Sequence, residues 1–231
     1  MIFNHEKNIL ELLNIAIDAG KEILNIYNDE IIVNSKEDKS PITQADINSN
    51  DLIVNRLKKL ESNIPILTEE SVVEWKNRKD WIKYWLIDPL DGTKEFINRN
   101  GEFTVNISLI ENNYPIFGII YSPVKSLLYY ALKNNGCYKL KTNSNLTTLK
   151  NFNKINIHKE KNIPTKVIGS RSHSSKEFLN WVEKKFANFE LITIGSSLKF
   201  CILAEGKADI YPRFGPTSEW DIAAGHIILE E

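Results

Sequence analysis

Two aspartates, Asp88 and Asp91, carry the densest chemistry of this sequence. They lie in the segment WLIDPLDGT, residues 85–93, directly after a short apolar run. Two carboxylates three residues apart would point to opposite faces of a regular strand, but a Pro/Gly turn would let them converge on one point. Hard cations such as Mg²⁺ prefer clustered oxygen ligands of this kind. Taken alone, the segment fits either a cation site or a solvated acidic turn.

Three further acidic residues stand at positions that could join such a site. Glu69 ends a short predicted strand in the segment TEES, residues 68–71, and Asp46 and Asp221 stand where helices are expected to begin. Each also has a structural interpretation, because acidic side chains are common in the first turn of a helix and on exposed surface. These residues form a site only if the fold brings them together.

Hydrophobic periodicity predicts the elements that would position these residues. Apolar residues at helical spacing predict helices over residues 6–27 and about 46–60. Strands are expected at 64–67 and 85–87, and then an antiparallel meander of three strands at 103–109, 116–121 and 127–132. Farther along, strands at 167–168, 191–194 and 210–211 alternate with helices at 176–186, 198–205 and from about 221. The patterns predict an antiparallel α+β half, residues 1–140, and an α/β half, residues 141–231, in one compact unit.

Composition narrows the class of protein. With 231 residues, of which 42% are hydrophobic, the chain can bury a substantial core. Its 29 basic and 30 acidic residues leave a net charge of −1, which disfavours polymeric nucleic acid as a partner. Two cysteines are too few for a disulfide framework or a cysteine zinc site. Without a signal sequence or a long apolar run, we expect a cytoplasmic protein with no transmembrane segment, and peripheral attachment to the inner face of the cell membrane stays open.

Four motifs, in order along nearly the whole chain, resemble the inositol monophosphatase superfamily, whose members are magnesium-dependent and lithium-sensitive phosphomonoesterases. They are SPITQAD (40–46), TEE (68–70), WLIDPLDGTKEF (85–96) and WDIAAGH (220–226). The segments GSRSH (169–173) and GSSLKF (195–200), with Lys94 after the Asp-Gly-Thr, are similar to the bacterial 3'(2'),5'-bisphosphate nucleotidases of that superfamily. The resemblance implies a layered αβαβα sandwich, combining α+β and α/β layers, of the inositol monophosphatase and fructose-1,6-bisphosphatase type.

The resemblance also implies a site for two to three Mg²⁺ ions and a pair of catalytic residues. The implied ligands are four carboxylates, of which Asp88 would bridge two ions, and one backbone carbonyl: Glu69, Asp88, Asp91, Asp221 and Leu90. Thr93 and Asp46 match a dyad in which the hydroxyl orients a water and the carboxylate accepts its proton through the threonine. The backbone amides of Gly92 and Thr93 are expected to bind phosphate oxygens.

The implied activity is that of a phosphoric monoester hydrolase. It would remove the 3'-phosphate of adenosine 3',5'-bisphosphate, a by-product of sulfate assimilation, and could also act on 3'-phosphoadenylyl sulfate. The implied substrate contacts are Glu69, Leu90, Asp91, Gly92, Thr93, Ser170, His173, Gly195, Lys199 and Asp221. Lys199 would meet the second phosphate as a point charge, whereas Arg171 and Arg213 fit either phosphate binding or structural ion pairs. An inositol or sugar monophosphatase of the same fold, and a nucleotide-binding protein that has lost turnover, remain alternatives.

The sequence stops at Glu231, whereas the family pattern continues through a glycine-rich turn into a further strand. We therefore expect the last apolar residues, Ile227, Ile228 and Leu229, to be exposed and the helix that carries Asp221 to be poorly supported.

Overall fold

The computed structural model describes residues 6–29, 31–35, 41–156, 162–171 and 175–231. The first described elements are helix α1 (Glu6–Tyr27), the paired short strands β1 (Val33–Ser35) and β2 (Pro41–Thr43), and helix α2 (Gln44–Leu60). Both helices were predicted from periodicity and are confirmed. Helix α2 begins two residues earlier than expected because Thr43 and Asp46 form a capping box at its N-terminus.

A seven-stranded sheet forms the centre of the molecule. In sheet order its strands are β3 (Ile66–Thr68), β4 (Lys83–Asp91), β5 (Thr104–Glu111), β6 (Tyr114–Ser122), β7 (Leu127–Leu132), β8 (Gly136–Lys141) and β9 (Asn153–Lys154). Strands β3 and β4 are parallel, and all later neighbours are antiparallel. The predicted meander is confirmed as β5, β6 and β7. Two short helices, α3 (Trp75–Arg78) and α4 (Thr93–Ile97), lie before and after β4.

Further layers follow on the other face of this sheet. Helices α6 (Leu198–Ala204) and α7 (Glu219–Glu230) pack there, and the parallel strands β10 (Thr165–Ser170) and β11 (Phe189–Ile194) form the next layer. Helix α5 (Lys176–Lys185) covers β10 from outside. With α1 and α2 packed on the first face of the large sheet, the order of layers is αβαβα, as predicted. Strand β8 runs across residue 140, so the large sheet continues beyond the predicted first half.

Helix α7 corrects the expectation that the end of the chain is exposed. Ile227 and Ile228 are fully buried, and Leu229 is partly buried. The helix packs so closely on β6 that a Cβ atom at Gly118 would lie 2.9 Å from the carbonyl oxygen of Ala224. The expectation was wrong because the helix packs directly on the large sheet.

The remaining differences concern short strands. Residues 210–211 were expected to form a strand, but only Ile210 makes an isolated bridge, to Val167. Strands β1, β2, β8 and β9 were not predicted, since they are short or lie in polar sequence where the period of two is weak. Among the described residues, no helix is long and apolar enough to cross a membrane.

Candidate active site

A β-bulge in β4 places the side chains of Asp88 and Asp91 on the same face of the sheet. Asp88 pairs with Asn106 on β5, and Asp91 pairs with Thr104. Between these two pairs β4 advances by three residues whereas β5 advances by two. Because side chains alternate between the two faces of a strand, the additional residue in β4 brings both aspartates to the same face. The predicted convergence is present, but its cause is a bulged strand and not the expected turn. The turn follows at Gly92, whose φ of 96° favours glycine.

The two aspartates border a cavity of about 840 Å³ between the large sheet and the loops before α6 and α7. Most of the predicted site residues line it: Glu69, Asp88, Leu90, Asp91, Gly92, Thr93, Ser170, Lys199 and Asp221. Asp46 lies behind Thr93. Gly195 is not among the described lining residues, and His173 lies outside the part of the chain that the structure describes.

Negative charge is concentrated at one end of this cavity. Burial, reinforced by the charges of Glu69 and Asp91, raises the pKa of Asp88 well above its usual range. Burial also raises the pKa of Asp91 to about 7; the charge of Lys199 opposes this rise, and the charge of Asp221 adds to it. Carboxylates held together in this way destabilise one another unless a cation lies between them.

The donor set at this end of the cavity fits Mg²⁺. It consists of hard oxygen atoms, four carboxylates and the carbonyl of the buried Leu90, all of which line the cavity. Among the described residues, no three carboxylate, imidazole or thiolate groups form a cluster that could by itself hold a metal ion. The fit to Mg²⁺ therefore rests on the chemistry of the oxygen donors that line the cavity and not on a preformed cage.

Asp221 combines the structural and functional interpretations that the sequence left open. It lies in the first turn of α7, where its Oδ2 accepts hydrogen bonds from the backbone N–H of Ser218 at 3.0 Å and the hydroxyl of Thr217 at 2.9 Å. These bonds fix the carboxylate at the wall of the cavity. The same hydrogen bonds therefore cap helix α7 and hold the Asp221 carboxylate at the cavity.

Thr93 and Asp46 form the predicted pair. The Thr93 hydroxyl donates to Asp46 Oδ1 at 3.1 Å. The other oxygen, Oδ2, accepts from the backbone N–H and the hydroxyl of Thr43, both at 2.7 Å, so the carboxylate is held from behind. Asp46 is only 1% exposed, whereas Thr93 lines the cavity. Thr93 therefore faces the cavity, and Asp46 lies behind it as the acceptor of its hydrogen bond.

A buried cation and several aromatic side chains form another part of the cavity wall. The Lys199 ammonium group donates to the Ser196 carbonyl at 2.5 Å and lies 5.5 Å from the centre of the Tyr211 ring. Burial lowers the pKa of Lys199, and the charge of Asp91 opposes this change. Arg213 also lines the cavity, with Tyr211, Phe200 and Trp220. These aromatic residues were not predicted as site residues, because their spacing in sequence fits ordinary core packing.

Arg171 and Gly195 are held by Glu102 and do not line the cavity. Glu102 accepts two hydrogen bonds from the Arg171 guanidinium group, at 2.6 and 2.9 Å, and one from the Gly195 N–H at 2.8 Å. Of the two interpretations of Arg171, the structure therefore supports the structural ion pair, with Glu102 as the partner. At Gly195 a Cβ atom would lie 2.6 Å from the Glu95 side chain and 2.9 Å from the Glu102 carbonyl oxygen, so only glycine fits.

Comparisons with known proteins identify the family of this chain. The model of the inositol monophosphatase family matches residues 6–231. The 3'(2'),5'-bisphosphate nucleotidase CysQ of Salmonella typhimurium is 42% identical, covering 94% of this chain and 85% of its own length. The CysQ of Buchnera aphidicola is 43% identical, covering 96% and 81%.

Solved structures show the same relationship. The crystal structure of CysQ from Bacteroides thetaiotaomicron, described as a bacterial member of the inositol monophosphatase family, is 41% identical with a TM-score of 0.85, and the match covers 97% of this chain and 86% of that one. The inositol monophosphatase of Thermotoga maritima, 21% identical with a TM-score of 0.72, covers 94% and 80% and shows the shared fold. The chain therefore belongs to the inositol monophosphatase family.

Proposed function

We propose that this chain is a magnesium-dependent 3'(2'),5'-bisphosphate nucleotidase. It would convert adenosine 3',5'-bisphosphate to AMP and phosphate, with 3'-phosphoadenylyl sulfate as a further substrate. The observation that carries the proposal is the identity of 41–43% to CysQ proteins of several bacteria over at least 94% of this chain. The acidic end of the cavity and the Thr93–Asp46 pair provide matching chemistry.

The ligands for two to three Mg²⁺ ions would be Glu69, Asp88, Asp91, Asp221 and the Leu90 carbonyl. When bound, Mg²⁺ supplies positive charge for the transferred phosphoryl group and lowers the pKa of water. Aqueous Mg²⁺ lowers that pKa only modestly, so a protein base remains necessary. Asp46 would be that base.

The Thr93–Asp46 pair would activate the attacking water. Because the Thr93 hydroxyl hydrogen points to Asp46 Oδ1, the lone pairs of Thr93 Oγ1 can accept a hydrogen bond from water. As the water oxygen forms its bond to phosphorus, the bond from phosphorus to the 3'-oxygen would break in line with it, one water proton would pass to Thr93 Oγ1 and the threonine proton would pass to Asp46. The 3'-oxygen would leave with the bonding electron pair and take a proton from solvent, to which Asp46 then returns its own. The backbone amides of Gly92 and Thr93 would bind oxygens of the phosphoryl group, at a turn where Gly92 lets the chain approach closely. No covalent intermediate is needed.

The rest of the cavity would hold the nucleotide. Lys199 is the buried cation nearest to the acidic end, and it would meet the phosphate that stays on the product. Ser170, at the end of β10, would contact the nucleotide, and His173, which lies outside the described residues, is proposed as a further contact. The aromatic wall of Tyr211, Phe200 and Trp220 offers a surface for the adenosine.

A phosphate-release panel tests the proposal. Purified protein would be assayed with Mg²⁺ on adenosine 3',5'-bisphosphate, an inositol monophosphate and fructose 1,6-bisphosphate. We expect adenosine 3',5'-bisphosphate to be hydrolysed with the highest kcat/KM and Thr93→Ala to reduce its turnover by about 10² or more. Higher kcat/KM on inositol monophosphate, or nucleotide binding without phosphate release, would overturn the proposal.

A further inference from the structure

Three buried polar side chains meet directly behind Asp91. Thr104 and Asn106 lie on β5, and Ser197 precedes α6; each is at most 1% exposed. The Ser197 hydroxyl donates to Asn106 Oδ1 at 2.7 Å, and the Thr104 hydroxyl lies 2.7 Å from Ser197 Oγ and 3.1 Å from Asn106 Oδ1. The three side chains are thus in mutual contact, with two hydroxyl hydrogens shared among the three contacts, and we name them the β5–α6 triangle.

The β5–α6 triangle contacts a single carboxylate. The backbone N–H of Ser197 donates to Asp91 Oδ2 at 2.5 Å, and Asn106 Nδ2 lies 3.4 Å from the same oxygen. Because both hydroxyl groups lie at Asn106 Oδ1, the amide is oriented with its N–H₂ group towards Asp91. The triangle thus directs two N–H donors at one oxygen of Asp91.

The backbone before Ser197 is held in an unusual conformation for the same purpose. Ser196 has a φ of 52°, in the left-handed region that residues other than glycine seldom occupy. Glu102 holds the preceding Gly195 through its N–H. Left-handed residues of this kind occur where the surrounding structure requires a particular backbone direction. Here that direction aims the Ser197 N–H at Asp91.

We propose that Thr104, Asn106 and Ser197 are positioning residues that hold the Asp91 carboxylate in the orientation that binds the cation. The proposal rests on the assignment of Asp91 as a magnesium ligand made above. Groups that orient metal ligands commonly change metal affinity by 10- to 100-fold when they are removed. A buried polar network that served the fold alone would instead change stability and leave metal affinity unaltered.

Two substitutions at Thr104 separate these possibilities. Thr104→Val keeps the shape of the side chain and removes the hydroxyl, whereas Thr104→Ser keeps the hydroxyl and removes a methyl group from the core. Ser197→Ala removes the hydroxyl that contacts both other members of the triangle. Ser122→Ala is a matched control, because the buried Ser122 hydroxyl has no hydrogen-bond partner among the described residues.

The readout is the Mg²⁺ concentration that half-saturates the metal site, obtained from the dependence of the melting temperature on Mg²⁺ concentration without substrate. We expect this concentration to increase about tenfold in Ser197→Ala and severalfold in Thr104→Val, and to stay at the wild-type value in Thr104→Ser and Ser122→Ala. At saturating Mg²⁺ the kcat of Ser197→Ala should return towards that of the wild type. Thr104→Ser should melt lower than Thr104→Val in EDTA and yet bind Mg²⁺ more tightly.

The outcomes separate the two proposals. Unchanged half-saturation in both Ser197→Ala and Thr104→Val, with a normal magnesium response in the wild type, would overturn the positioning role and leave the proposed function intact. A wild-type melting temperature that does not respond to Mg²⁺ would overturn the metal assignment, and the positioning role with it. If one of the two variants does not fold, the other gives the same comparison.

Discussion

Replacing Asp91 with asparagine should stabilise the metal-free protein and abolish its magnesium-dependent activity. Burial raises the pKa of Asp91 from 3.8 to about 7. The positive charge of Lys199 and the hydrogen bond from the Ser197 N–H oppose the rise in pKa, while the negative charges of Asp221 and Glu69 add to it. At neutral pH the folded metal-free protein therefore holds a carboxylate that would ionise more easily in the unfolded chain. Asparagine removes that ionisation and can still accept the hydrogen bond from Ser197.

The expected size follows from the pKa. A rise from 3.8 to about 7 corresponds to about 4 kcal/mol. The Asp91 side chain is partly exposed to the cavity, so solvent screens part of this free energy and we expect about 2 kcal/mol. For a protein of this length, 1 kcal/mol changes the melting temperature by about 2–4 °C. Asp91→Asn should thus melt about 4–8 °C higher than the wild type in EDTA at pH 8.

The sign of the pH dependence follows from the same pKa. Below about pH 4 the group is protonated in both states and contributes nothing to stability. Between about pH 4 and 7 the unfolded chain releases its proton first, so the metal-free wild type loses stability as pH rises, and above about pH 7 that loss is complete. Asp91→Asn should lack this part of the pH dependence.

Thermal melting from pH 5 to 8, with EDTA or with Mg²⁺, measures these differences. Asp209→Asn is a control of opposite sign. Burial tends to raise the pKa of Asp209, but hydrogen bonds from Asn162 and Lys166 outweigh it and leave the pKa lowered, so that loss of this carboxylate should destabilise the protein at pH 8. If Asp91→Asn melts at or below the wild type in EDTA at pH 8, the argument from the crowded carboxylates is wrong.

Three further predictions concern catalysis, specificity and packing. Thr93→Ala should lower kcat by about 10² while KM changes little, because the hydroxyl acts on water and not on the nucleotide. A raised KM at unchanged kcat would exclude the proposed activation of water by Thr93 and Asp46. Lys199→Met should weaken the binding of adenosine 3',5'-bisphosphate by about 1.5–3 kcal/mol and leave the binding of 3'-AMP nearly unaffected, as measured by competition assays. Equal losses of binding for the two nucleotides would place Lys199 at the reacting phosphate. Gly118→Ala should destabilise the protein by about 1–3 kcal/mol in urea unfolding, since its Cβ would meet α7, and an unchanged midpoint would contradict that packing.

Apolar patterns predicted the bounds of two elements correctly. Helix α1 has a continuous apolar stripe and was predicted at its observed bounds, and the meander strand β7 was too. The bulge between Asp88 and Asp91 was not predictable, because pairing with Asn106 and Thr104 on another strand creates it. Local sequence could indicate that the two carboxylates converge, whereas the register between strands decides how they do so.

The motifs placed the acidic residues correctly at the cavity but not the residues that hold them. One signal was present in the sequence: Thr104, Asn106 and Ser108 alternate with apolar residues along β5, yet all three are buried. Such alternation normally indicates a polar face in water. Only the fold shows that this face is covered, with Ser197 against Thr104 and Asn106. A buried strand with polar residues on one face is therefore a useful sign of a supporting network.

Three acidic residues of this site, Asp46, Asp91 and Asp221, share one mode of support, and this explains why structural and functional interpretations were both reasonable. In Asp46 and Asp221, hydrogen bonds from the start of a helix reach Oδ2. In Asp91, the Ser197 N–H also reaches Oδ2. One oxygen of each carboxylate is thus fixed by the chain, and in Asp46 the other receives the Thr93 hydroxyl. Because carboxylates fixed in this way need little reorganisation when charge develops nearby, their fixed orientation can itself contribute to the rate. The same hydrogen bonds keep like charges close together, so a metal-free protein with this site must be less stable than one without it.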